Sequence, residues 1–229
     1  MTWWDLVALT AVFFGTSIVS SVMRGGVVPA APDSPASAVS EFTTRSNWNA
    51  LVQQGALLAV AITYICVRRV KLARWTMRPT LKGTVLGIGL FAGCGLLFDA
   101  VYTLRGRITG SGGVAAVVGE PPEGVGADPF LLVYSMFNGF YEEFFFLAIC
   151  LSLPVKWHRW AVAYSFLVRT SFHTYQGVFN ALLIGVVFGA VFYAVARRWP
   201  PQRIYPFVVA HALGDILGIG LIDLIVAMP

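Results

Sequence analysis

Glu142 and Glu143 stand side by side in FLLVYSMFNGFYEEFFFLAICLSL, a run otherwise apolar enough to cross a membrane. His173 lies in a second such run, YSFLVRTSFHTYQG, with Arg169 four residues before it; His211 heads HALGD in a third, with Asp215 four residues after it. An ionisable side chain in hydrocarbon costs several kcal/mol and is kept where it has a partner or lines a polar cavity. A carboxylate in such a setting can serve as a base poised near neutral pH. These six residues are therefore expected to form one buried polar site.

The spacing says how the groups can share that site. Adjacent helical residues point about 100° apart, so Glu142 and Glu143 face different neighbours. Two carboxylates so close in a dry setting do not both ionise freely; one is protonated or paired. The i, i+4 pairs Arg169/His173 and His211/Asp215 each line one face of a helix. The residues alone also fit a structural pair tying helices together, or a proton path through a transporter. Transporters often carry inverted repeats, and none is visible in this chain. His158, in KWHRW, is a loop histidine that needs no special role.

The elements that must position these groups are apolar helices. Of 229 residues, 57% are hydrophobic and 12% charged, and the mean hydropathy is +0.73. A soluble domain is about a quarter charged, so an all-α polytopic membrane protein is expected. Trp3, Trp4, Trp48, Trp75, Trp157, Trp160 and Trp199 fall at or near the ends of apolar runs, where an amphipathic ring prefers the headgroup layer. Spans of about 20 residues are predicted at 3–23, 48–67, 81–104, 129–153, 160–176, 178–196 and 204–228. The last can break near Gly218 and Gly220, giving seven to eight helices. Two loops, 25–47 and 105–128, are rich in Pro, Ser or Gly. The second divides three plainer helices, 1–128, from a C-terminal core, 129–229, which holds nearly all the intramembrane ionisable residues. The N-terminal run is longer than a signal-peptide core and no basic residue precedes it, so it is expected to be a helix.

The net charge of +5 does not imply nucleic acid. Arg68, Arg69, Lys71, Arg74, Arg78 and Lys82 form one loop cluster, Lys156 and Arg159 a second, and Arg197, Arg198 and Arg203 a third. With a cytoplasmic N-terminus and seven spans, all eleven face the cytoplasm; Arg24, Arg45, Arg105 and Arg107 fall outside and Arg169 within a span. That bias obeys the positive-inside rule, and lipid headgroups are sufficient partners for the clusters. Cys66, Cys94 and Cys150 lie in apolar segments without CxxC spacing, and are expected to be small hydrophobes.

The ionisable residues also carry a resemblance. The region from Pro129 onward resembles the CPBP family (CAAX proteases and bacteriocin-processing enzymes), the intramembrane glutamic proteases also called Abi proteins. That family carries EExxxR, then FxxxH on the next helix, then HxxxN or HxxxD on a later one. The corresponding stretches here are Glu142-Glu143-Phe144-Phe145-Phe146-Leu147, Arg169-Thr170-Ser171-Phe172-His173 and His211-Ala212-Leu213-Gly214-Asp215. RTSFHTYQG further resembles a bacterial branch with RxSxHxYQG, which implies a bacterial plasma membrane.

The resemblance implies an intramembrane endopeptidase acting on a membrane-associated peptide or protein. In that scheme Glu142, assisted by His173, activates water; His211 and Asp215 stabilise the oxyanion; Glu143 and Arg169 support them. It implies no cofactor. Zn²⁺ on the two histidines, a glutamate and Asp215 is an alternative, although no HExxH spacing exists. A non-catalytic immunity or scaffold role also stays open, because Leu147 stands where the family has Arg.

Arg169 stands where the family has Phe, and the two departures read as one change. The family Arg lies four residues after the second Glu and can neutralise it along the helix. Arg169 can supply the same charge to Glu143 from the neighbouring helix. Loss of folding or activity in Arg169→Leu is therefore expected to be partly restored by adding Leu147→Arg. The comparison is made by thermal unfolding and cleavage of both variants, and absence of any rescue would count against a shared role.

Overall fold

The structure, a computed structural model, describes residues 1–27, 44–72, 75–109, 129–198, 203–218 and 220–221. Most of the two expected loops, Arg74 of the first basic cluster, Trp199 and everything after residue 221 lie outside them. The fold is all-α: α1 Trp3–Val27, α2 Thr44–Val67, α3 Leu81–Thr109, α4 Pro129–Glu143, α5 His158–His173, α6 Val178–Leu182, α7 Gly189–Arg198 and α8 Tyr205–Leu217. α4 continues through a π-helical stretch, Phe144–Ile149, and a tight turn, Cys150–Ser152; a second π stretch, Leu183–Phe188, joins α6 to α7.

Among the described residues each of the seven apolar segments contains helix, but they are not equal as spans. The segments Trp3–Met23, Thr44–Val67, Leu81–Thr109 and Val178–Arg198 are each long and apolar enough to cross a membrane alone. Pro129–Ser152 and Val155–Gln176 qualify only together, bent by 117° where they meet, and Tyr205–Leu217 is apolar but shorter. The bend falls at Leu153–Pro154, where proline removes a backbone donor and its ring opposes continuation of the preceding helix. α8 ends at Gly218, whose φ of 84° is a left-handed conformation that glycine adopts without penalty. The expected choice between one and two C-terminal helices therefore falls largely outside the described residues.

α1 begins in a reciprocal cap. Thr2 Oγ1 accepts from the Asp5 N–H at 3.3 Å, while Asp5 Oδ2 accepts from the Thr2 N–H at 2.8 Å, satisfying donors that every helix start leaves open. The other Asp5 oxygen accepts from Tyr64 Oη at 3.0 Å and from Arg68 Nη2 at 3.2 Å, tying the start of α1 to the end of α2. Further along α1, Phe13 and Phe14 pack against Tyr141, Phe145, Phe146 and Phe172. The Phe14 and Phe172 rings stack 4.6 Å apart at 7°.

Lipid tails are as apolar as Leu, so helices in a bilayer gain little by hiding from them and instead need close contact at small residues. α8 packs between α3 and α4 through such contacts. A Cβ on Gly87 of α3 would come within 2.7 Å of the Pro206 carbonyl oxygen, and one on Gly139 of α4 would meet Val208 O at 3.0 Å and His211 Cβ at 3.2 Å. Gly185, in the second π stretch, sits against the Thr170 backbone of α5 in the same way. Cys94 and Cys150 are buried and Cys66 is exposed, all as free thiols.

Gly89 lies two residues from Gly87 on the same helix, yet a Cβ added there would meet nothing within 4 Å. Gly87→Ala is expected to destabilise the protein by about 1–3 kcal/mol through overpacking. Gly89→Ala should be neutral or stabilising by up to about 1 kcal/mol from helix propensity. Thermal unfolding in detergent reads both, and equal effects would contradict the crossing.

Candidate active site

α4 ends on the acidic doublet, and Glu143 is wholly buried. Arg169 reaches it from α5, placing Nη2 2.9 Å from Oε1 and 3.0 Å from Oε2. Its guanidinium lies 4.1 Å from the Phe146 ring centroid and 5.3 Å from that of Phe188, an aromatic from each π stretch. A planar, weakly hydrated cation suits this slot; a Lys ammonium would not. Leu147, in the family's Arg position, instead packs among Leu90, Phe91, Cys94, Phe192 and Phe207. The guanidinium thus reaches Glu143 from α5 rather than along α4.

α8 supplies the third member. His211 Nδ1 is 2.8 Å from Glu143 Oε1; an ionised carboxylate only accepts, so Nδ1 carries the proton and donates it. That leaves His211 Nε2 facing two more carboxyl oxygens, Glu142 Oε2 and Asp215 Oδ1, each 3.8 Å away. The distance is too long for a direct hydrogen bond and suits one small polar molecule shared among them. Glu142 Oε2 is buried without a protein hydrogen-bond partner. The Asp215 side chain is 21% exposed, against 9% or less for His211, Glu142, Glu143 and Arg169, so the site opens on the Asp215 side.

The structure therefore brings Glu142, Glu143, Arg169, His211 and Asp215 together. His173 is placed differently from the sequence expectation. Its Nδ1 donates to the Arg169 carbonyl at 2.8 Å, and its ring rests on Phe172, with centroids 4.3 Å apart. It is buried at the end of α5, and among the described residues no direct hydrogen bond joins it to Glu142. The convergence itself depends on a short α5 of 16 residues and on the bend before it; straight parallel helices would have left the groups at different depths. His158 stands apart, bonding the Leu153 carbonyl at 2.8 Å.

Among the described residues no three His, Cys, Asp or Glu side chains are grouped to hold a metal ion. Glu143 is committed to Arg169 and His211, and one His173 nitrogen to a carbonyl.

Residues 126–217 match the family described as Type II CAAX prenyl endopeptidase Rce1-like. This region is similar to the CAAX prenyl endopeptidases. The match takes in α4 through α8 and with them all six residues discussed; α1, α2 and α3 lie before it. Comparison with curated proteins and with solved structures gave no match.

Within the matched region the sequence reading passed over Asn138. Its Nδ2 donates to Asp215 Oδ2 at 2.9 Å and lies 3.4 Å from Glu142 Oε1. The signal was there: Asn138 is a lone amide one turn before Glu142, on the same helical face. Gln54 of α2, outside the matched region, donates to Asn138 Oδ1 at 2.7 Å.

The buried ion pair sets a stability test. Arg169→Met leaves Glu143 without its cation and is expected to cost about 3–5 kcal/mol. Adding Glu143→Gln removes the stranded charge and should recover much of that loss without restoring activity. Unfolding of the single and double variants in detergent decides it; a double variant less stable than Arg169→Met would contradict the pairing.

Proposed function

We propose that this chain is an intramembrane endopeptidase of the glutamic type, hydrolysing a peptide bond of a membrane-associated peptide or protein. The observation that carries the reading is the spacing around His211 Nε2, 3.8 Å from both Glu142 Oε2 and Asp215 Oδ1, at a buried carboxyl oxygen with no protein partner. One water molecule held there touches a base and two orienting groups at once.

Glu142 takes a proton from that water as its oxygen bonds to the peptide carbonyl carbon. The carbonyl π electrons move onto oxygen, giving a tetrahedral oxyanion. His211, protonated on both nitrogens, donates from Nε2 to the negative charge, and the Glu143–Arg169 pair holds the ring in place through Nδ1. Asp215 orients the water; acting as an oxyanion donor would require its protonated form. As the C–N bond breaks, Glu142 returns its proton to the leaving nitrogen, so the products are a carboxylic acid and an amine. His173 contributes at the far side of Arg169, fixing the carbonyl one turn back on α5. No metal takes part in this scheme.

The basic clusters favour a cytoplasmic N-terminus. The family's printed description makes a prenylated CAAX peptide one candidate substrate, and other membrane-anchored peptides fit the same chemistry. The alternative of a non-catalytic member draws on the missing Arg at Leu147, but Arg169 supplies the charge that this loss would remove.

Glu142→Gln is expected to lower cleavage by about 10²–10⁴-fold, the usual worth of a general base, while leaving expression and folding intact. Comparative membrane proteomics of cells with wild-type or Glu142→Gln protein should show uncleaved precursors accumulating only in the variant. A zinc chelator should leave wild-type cleavage unchanged. Identical proteomes from the two strains would sink the protease reading.

A further inference from the structure

An amide has one end that donates and one that accepts, and Asn138 faces acids on one side only. Its Nδ2 points to Asp215 Oδ2, 2.9 Å away, with Glu142 Oε1 at 3.4 Å. Were the amide turned over, its oxygen would meet two carboxylates and repel both while they are ionised. Asn138 is buried, 7% exposed, so its oxygen also needs a donor, or it is left unsatisfied. Gln54 Nε2 is that donor, at 2.7 Å. The three side chains run head to tail, Gln54 to Asn138 to Asp215, from α2 across α4 to α8.

We propose that Gln54 and Asn138 are positioning residues of the active site, with α2 supplying the donor that fixes the Asn138 amide and, through it, Asp215 and Glu142. The catalytic part rests on the hydrolase reading above; the hydrogen-bond chain does not. α2 then belongs to the working site although it precedes the region that matches the family. A plain tether between α2 and α4 would use the same hydrogen bond but would be indifferent to which end of the amide faces the acids.

The test uses full-length protein in lipid nanodiscs, with ¹⁵N-labelled asparagine side chains and a quenched-fluorescent farnesylated CAAX peptide as kinetic probe. The Asn138 amide signal is assigned by its loss in Asn138→Leu. It should move in Gln54→Leu and again in Asp215→Leu. Gln54→Leu should lower kcat by about tenfold with KM little changed, as slight misplacement of a reacting group does. The same substitution should have no further effect on kcat in the Asn138→Leu background, since groups acting in series are not additive. Gln54→Glu, equal in size but poor as a donor, should resemble Gln54→Leu rather than wild type. An unmoved amide signal in Gln54→Leu, additive losses in kcat, or a change confined to KM would each overturn the proposal. If Glu142→Gln cleaves the probe as fast as wild type, or wild type does not cleave it, the hydrolase reading loses its support; the amide signal then decides by itself whether Gln54 positions Asp215.

Discussion

Burying a carboxylate and a guanidinium together is costly, and the structure around Glu143 and Arg169 is organised to offset that cost. Desolvating each ion takes several kcal/mol even after relaxation, recovered only with good geometry and further hydrogen bonds. Here both carboxylate oxygens contact one guanidinium nitrogen, Oε1 also accepts from His211, and two aromatic rings flank the cation. Because the partners come from α4, α5 and α8, satisfying one charge fixes three helices at a single point. The 117° bend between the fourth and fifth segments and the close crossings at Gly87, Gly139 and Gly185 are the geometric conditions for that contact.

The pair also divides the labour of the acidic doublet. Successive helical positions diverge, so Glu143 turns to the ion pair while Glu142 keeps a buried oxygen with no protein partner beside His211 and Asp215. One carboxylate is committed to the ion pair, and the other keeps an oxygen without a protein partner. The π stretch that starts directly after Glu143 widens the helix there and carries Phe146, which faces the guanidinium. Local departures from α geometry of this kind are frequent at functional sites.

The N-terminal helices contribute by packing and by polarity. α1 lends Phe13 and Phe14 to the aromatic cluster behind α4 and α5, and its Phe13 carbonyl accepts from Tyr141 Oη at 2.8 Å. That contact sits one residue from Glu142, so α1 steadies the doublet from behind. α2, by contrast, meets α4 through Gln54 and Asn138 on the side where Asp215 approaches.

By itself the sequence determined that the protein is helical and membrane-embedded, where its apolar segments lie, and which ionisable residues are too expensive to be there without partners. Hydropathy and i, i+4 spacing are local properties, and these conclusions need nothing more. Tertiary structure alone decided that His211 bridges Glu143 and the Glu142 and Asp215 side, and that Asn138 and Gln54 belong to the group. Contacts between helices depend on their bends, depths and rotations, which glycine crossings and a short α5 set and no single segment encodes.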